Sequence, residues 1–242
     1  MNEFFGKQWS GEPFTLFGAA HLTALGIIVF INILAVIWGR KASDENRKRF
    51  RWSLAIVLIV DEFFWHLWNI TTGQWSIQTT LPLHLCSIFV FLSAYMLVTK
   101  SFTIYEYAYF LGIAGASQAL LTPDAGIYGF PHFRAFQVMV SHGAIITAAV
   151  FMTLVEGYRP TWQSLKRVLI GGNIYMAVIF VFNLLIGSNY LFIAHKPETA
   201  SLMDVLPDWP VYIVFIELIG IIVSLLLYAP FFWSDLRKKR AA

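Results

Sequence analysis

The sequence predicts an all-α, polytopic membrane protein: a bundle of seven transmembrane helices, with the N-terminus outside and the C-terminus inside. Three observations carry this. Of 242 residues, 58% are hydrophobic and 13% charged, against about half and about a quarter in a soluble domain. The apolar residues gather into long runs close to the ~20 residues that a helix needs to cross a bilayer. The third is the uneven division of the 17 Lys and Arg among the loops.

Residues 1–16 are amphipathic, with Phe4, Phe5, Trp9 and Phe14 set among polar residues, a pattern suited to the membrane interface. No cleavable signal peptide is expected, because no basic region precedes a short apolar core and cleavage site. The spans are expected at 17–38, 52–70, 81–98, 105–121, 135–155, 168–187 and 210–227. In lipid such runs are helices, since each backbone group needs a partner inside its own segment. Pro82 suits the start of the third, where its missing N–H costs little. Turn formers fill the connection from Thr122 to Arg134, and a longer loop, 188–209, precedes the last span. No repeat or low-complexity segment interrupts residues 1–242, which read as one membrane domain.

The loops after spans one, three, five and seven hold fourteen of the 17 Lys and Arg, including Arg40, Lys41, Arg47, Lys48, Arg49, Arg51 and the tail Arg237–Arg240. The opposite side holds Lys7, Arg134 and Lys196. Positive loops stay inside, which sets the orientation. The net charge of +3 is therefore topological, and no nucleic-acid partner is expected. The expected location is the cell membrane, as a multi-pass protein.

Orientation assigns depth. His84 and Cys86 fall one to two turns below the outer surface on span three, and His142 about two turns down on span five. His66 falls in the outer half of span two, with Asp61 and Glu62 near its middle. Gln118, Asn183, Asn189 and Glu217 lie at similar outer depth on or beside spans four, six and seven, and His21 on span one. Ionisable groups are costly in a membrane and face the bundle interior. Their shared level predicts a polar chamber open toward the outer leaflet; interhelical hydrogen bonding that only holds the bundle is the simpler alternative.

Cys86 is the single cysteine, which excludes an intrachain disulfide and leaves an inert buried thiol or a nucleophile. His84 and Cys86 are two apart, so on a helix they point in opposed directions. A base for Cys86 has to come from another span, and His142 matches it in depth. A position near a helix N-terminus favours a thiolate, and free first-turn amides can donate to an oxyanion. Glu62 and His66, four apart, share a helix face. No cofactor is expected on this reading. The metal alternative takes His66, His84 and His142 as zinc ligands of a seven-span lipid hydrolase. A non-catalytic lipid- or solute-binding protein or transporter is the third possibility.

Several segments together resemble a known family. Leu81-Pro-Leu-His-Leu-Cys-Ser87, Gly115-Ala-Ser-Gln-Ala-Leu-Leu-Thr-Pro-Asp124, Phe130-Pro-His-Phe-Arg134, Ser141-His142-Gly143, Gly157-Tyr-Arg-Pro160 and Gly187-Ser-Asn-Tyr190 are similar to bacterial YwaF-type integral membrane proteins. These look related to the eukaryotic transmembrane protein 164 family, and more distantly to the androgen-induced membrane hydrolases. The resemblance implies a lipid acyltransferase or hydrolase with Cys86 as nucleophile and His142 as its histidine, acting on phospholipids and their acyl chains. His84, Glu62, His66, Gln118, Asn183, Asn189 and Glu217 then form the supporting polar chamber.

Overall fold

A computed structural model describes residues 3–197 and 202–241. Residues 1 and 2 of the amphipathic segment and 198–201 of the long loop lie outside the described residues, as do the tail's side chains from Lys238 onward. Among the described residues there are seven long helices and no strands: α1 Ala19–Lys41, α2 Asp44–Thr71, α3 Leu85–Thr99, α4 102–121, α5 Phe133–Leu154, α6 Trp162–Ile186 and α7 Val211–Ala241. Five of them, α1, α2, α5, α6 and α7, are long and apolar enough to cross a membrane. The third helix is a 15-residue apolar helix, and α4 is interrupted by a π turn at Ala108–Gly112.

The surface is apolar where a soluble protein's would be polar. Along α1, Leu22, Ile27, Val29, Phe30, Ile31, Ile33, Leu34 and Ile37 are exposed, and only His21, Ala35 and Gly39 are buried. The bundle is built around α5, which packs against α1, α2, α3 and α4. Its small residues Ser141, Gly143, Ala144, Ala148 and Ala149 are buried and allow the close approach that packing in lipid requires. Leu58, Phe89, Val90, Leu97, Tyr105, Phe110, Ile145 and Met152 complete the core.

Consecutive long helices alternate in direction, so their connections collect at two ends. At the basic end, Arg51 donates from Nη1 to the Leu97 carbonyl (2.8 Å) and its Nε lies 3.2 Å from Glu156, which also pairs with Lys100. Arg40 reaches the Leu154 carbonyl (3.2 Å). Nearby, buried Glu106 accepts from Ser164 (2.5 Å) and pairs with Arg167, tying α4 to α6. At the other end, His21 accepts from the Phe17 amide and donates to the Leu120 carbonyl (2.8 Å).

Helix boundaries depart from expectation where local chemistry extends or delays them. The second helix begins eight residues early because Ser43 caps Asn46 and Asp44 and Glu45 favour the first turn. The capping box of Thr161 and Ser164 starts α6 at Trp162. The last helix continues through Pro230 to Ala241. The N-terminal segment does more than lie at an interface. Its carbonyls at Phe5, Gly6 and Lys7 accept from Trp68 (2.9 Å), His132 (2.9 Å) and Tyr128 (3.0 Å), strapping it across α2 and the start of α5.

Two outcomes follow from these ends. Glu156 is the only carboxylate paired with buried Arg51 among the described residues. Glu156→Ala leaves that guanidinium uncompensated, and thermal unfolding of the purified protein should show a loss of ~3–5 kcal/mol. His132 accepts the Arg134 amide at Nδ1, so its proton sits on Nε2 facing Gly6. Burial holds its pKa below the ordinary 6.5, aided by Arg134 and opposed by the Gly6 bond. The unfolded strap therefore takes up the proton first, and stability is present above the ordinary histidine value and is lost as pH falls below it. The protection of residues 3–14 against hydrogen exchange, relative to the intrinsic rate at each pH, should fall below pH ~6.5, and His132→Gln should flatten that dependence.

Candidate functional site

The site begins with a helix that starts late. Tyr190, fully buried, donates its hydroxyl to the Ile77 carbonyl (2.8 Å) and accepts the Leu81 amide (2.9 Å). Tyr175 donates to the Leu83 carbonyl (2.9 Å), and the Leu83 amide turns back to Leu81 (2.7 Å). Residues 81–83 are thereby held out of the helix, and His84, in extended conformation, is its N-cap. The expected start at Leu81 moves to Leu85, and Pro82 lies in the preceding turn. The first backbone bond across this end joins the Ile88 amide to the His84 carbonyl (3.0 Å). The His84 side chain makes no cap bond; its Nδ1 accepts from Leu191 (3.3 Å) and its ring packs on Tyr190 and Phe192. Among the described residues the amides of Leu85, Cys86 and Ser87 have no hydrogen-bond partner. Cys86 is thus in the first turn, where unpaired N–H groups gather positive partial charge.

Glycines on α4 set what lies across from it. A Cβ on Gly112 would sit 3.4 Å from Phe89 and 3.5 Å from Ile145, so α3, α4 and α5 meet at this level. One turn from this level in each helix, toward the end opposite the basic one, come Cys86 on α3, Gly115 on α4 and His142 on α5. A Cβ on Gly115 would lie 3.6 Å from Cys86 Sγ. The missing side chain lets α3 and α4 approach closely at this layer. Cys86 and His142 lie deep in the protein, and each retains some accessible surface. No hydrogen bond joins them among the described residues. His142 Nδ1 is 2.7 Å from the Val138 carbonyl. A carbonyl only accepts, so Nδ1 carries the proton and Nε2 presents its lone pair.

Beside this layer is a cluster that sequence reasoning left out. Arg134, expected among the outer loop cations, turns inward. It donates to Gln137 Oε1 (2.5 Å) and the Asp124 carbonyl (2.9 Å), with its guanidinium 4.1 Å over the Trp65 ring. Gln137 in turn donates to Asp61 (2.9 Å). The sequence signal was the pair Asp61 and Glu62, since carboxylates at membrane depth call for a cation. Glu62 is buried, and its nearest partner is His66 Nε2 at 3.5 Å. Trp75 donates to His66 Nδ1 (3.1 Å), which puts the His66 proton on the nitrogen facing Glu62.

The remaining candidates are dispersed. Asn183 binds the Tyr190 backbone at both N–H and C=O (2.9 Å each) and accepts from Ser188 (2.7 Å). Asn189 is bonded to the Ala194–His195 turn. Gln118, one turn beyond Gly115, donates to Thr122 (2.6 Å). Glu217 is half-buried on α7. His66, His84 and His142 each face separate partners, and among the described residues no three His, Cys, Asp or Glu are grouped to hold a metal ion.

No curated protein and no solved structure matches the chain. A family match covers residues 16–228, which takes in all of α1 to α6, the loop before α7 and most of α7. On that match, this chain, a membrane protein by its apolar helices, belongs to the TMEM164 family.

Proposed function

We propose that the protein is a lipid acyltransferase or lipid hydrolase of the cell membrane, working through an acyl thioester on Cys86. The observation that carries this is the layer of Cys86, Gly115 and His142, with a thiol beside unpaired amides and an imidazole whose free lone pair is fixed by Val138. Family membership supports a membrane role of this kind. The same motifs support kinship with bacterial YwaF-type proteins and, further off, the androgen-induced hydrolases.

In the proposed reaction, His142 Nε2 takes the Cys86 thiol proton. The thiolate attacks the ester carbonyl of a phospholipid. The developing oxyanion is met by the first-turn amides of α3. The carbon–oxygen bond then breaks, the departing alkoxide takes the proton from His142, and a lysolipid leaves. An acceptor alcohol or water gives its proton to His142 and attacks the thioester, and the thiolate is released and reprotonated. Gln118 stands nearest in register for contact with a bound lipid. His84 keeps the helix start in place through Leu191, and Glu62, His66 and Arg134 supply polarity beside the layer. Asn183 and Asn189 act on the loop that carries Tyr190.

All seven long helices are read as spans, with the N-terminus outside and the basic end inside. The two less regular ones, α3 and α4, pack against the central α5 and against each other. Protection inside protein lets such helices depart from full membrane length.

Intact mass of the purified protein after exposure to phospholipid tests the mechanism. Wild type should gain a fatty-acyl increment that hydroxylamine removes, and Cys86→Ala should gain none and release no lysolipid. His142→Gln should slow lysolipid release by roughly 10²–10⁴-fold, the usual range for a general base. Turnover that survives Cys86→Ala would sink the covalent route. For topology, single cysteines placed at Lys7 and at Arg237 in a Cys86→Ala background should differ in intact cells. An impermeant maleimide should label the first and spare the second.

A further inference from the structure

Ile77 and Leu81 are four residues apart, the spacing of a helical hydrogen bond. One residue earlier that bond exists: the Thr80 amide donates to the Ser76 carbonyl (2.9 Å). At the next step the winding is interrupted. The Tyr190 hydroxyl donates to the Ile77 carbonyl (2.8 Å) and accepts the Leu81 amide (2.9 Å). It therefore takes both partners of the bond that would carry the turn onward, and a side chain inserted in this way breaks a helix. Beyond the break the Leu83 amide turns back to the Leu81 carbonyl (2.7 Å), and α3 begins at Leu85.

Nothing in residues 81–84 themselves forbids helix. Pro82 fits a first helical position, where its fixed φ and missing N–H cost least. All four residues keep some accessible surface, so close packing does not lock them. With α3 begun at Pro82, the amides of Leu85, Cys86 and Ser87 would bond to the carbonyls of Leu81, Pro82 and Leu83. The observed start leaves those three amides open. The two starts differ by about one turn, and only the later one leaves donors beside Cys86.

The loop behind Tyr190 is built to hold its hydroxyl at the break. Asn183 bonds the Tyr190 backbone at both N–H and C=O (2.9 Å each), and the side chain has no exposed surface. Leu191 (φ 62°) and Phe192 (φ 53°) follow in left-handed conformation, which bulky residues rarely adopt. Such strain persists where the surroundings enforce it. Here His84 Nδ1 accepts the Leu191 amide (3.3 Å), and the Tyr212 hydroxyl donates to the Phe192 carbonyl (2.5 Å). We infer that Tyr190 is a positioning residue for the Cys86 site: its hydroxyl holds the start of α3 one turn late and so keeps open the amides that meet the developing oxyanion. The inference rests on the acyl-thioester reading and extends it to a residue that touches no substrate.

Hydrogen exchange of the full-length protein in detergent, resolved to single amides, reads the helix start directly. Tyr190→Phe keeps the ring and removes the hydroxyl. Residues 81–84 should then wind into α3, and exchange at Leu85, Cys86 and Ser87 should slow about tenfold, the order that one hydrogen bond carries. A loop that merely loosened would do the opposite, so exchange that quickens or stays unchanged overturns the inference. Should Tyr190→Phe fail to fold, Leu81→Ser carries the same test: it sets a capping side chain before Pro82, leaves Tyr190 in place and should slow the same amides. In turnover, Tyr190→Phe should lower kcat for lysolipid release roughly 10²–10³-fold with KM held, the loss expected of an oxyanion donor. Slowed exchange with kcat unchanged also overturns the positioning role. A wild type that forms no thioester is a failure of the Cys86 mechanism alone, since the exchange measurement needs no acyl transfer.

Discussion

The outer end of the bundle depends on one phenolic hydroxyl. Tyr190 stands between the Ile77 carbonyl and the Leu81 amide, with no exposed surface, and Asn183 grips its backbone from both sides. A buried backbone amide without a partner is expensive, so the hydroxyl decides whether residues 81–83 wind into α3 or stay outside it. They stay outside. The helix then opens at Leu85, and the amides beside Cys86 are left without carbonyls to bond. Had the helix opened at Leu81, Ser87 would have bonded to Leu83 and Leu85 to Leu81, and the first-turn donors would have stood a turn further out. A side chain 109 residues away in sequence thus decides which amides are free.

The central position of α5 makes the rest possible. It packs against α1, α2, α3 and α4, and its small residues let α1 and α3 come close. Polar side chains on such a helix are forced into the interior. Gln137 and His142 both follow from this, the first meeting Asp61 and the second bonding its own Val138. Arg134, at the same helix's first turn, is drawn inward by carboxylates on α2 and stacked on Trp65. A cation and its counter-charges share a part of the bundle that a purely apolar interface would have closed.

Much of this architecture was legible in the sequence. The long apolar runs of α1, α2, α5, α6 and α7 announce helices, and the alternation of basic loops matches the way their connections collect at one end. Alternating direction alone gives Cys86 and His142 a common depth. The start of α3 was not legible, because Leu81, Leu83 and Leu85 are equally apolar and Pro82 suits a first turn. Only Tyr190, a tertiary partner, distinguishes them. The inward turn of Arg134 was hidden for a related reason: a cation beside a turn reads as a loop residue until its carboxylates are located in space. Lateral neighbours are a matter of helix rotation, and the bearing of Gly112 and Gly115 on α3 and α5 is absent from any local pattern.

The π turn at Ala108–Gly112 has a bearing on that rotation. A π turn holds one more residue than regular α-helix needs, which swings everything beyond it by about 100° around the axis. The two halves of α4 are therefore phased independently. The basic half points Glu106 at α6, and the outer half points Gly115 at Cys86. Loss of a single residue within 108–112 would make α4 a better helix by every local measure. It would also rotate the glycine away from the thiol and bring a larger side chain against Leu85 and Cys86. The irregularity works as a coupling between two halves that need different bearings, and its length is as constrained as any side chain in the layer.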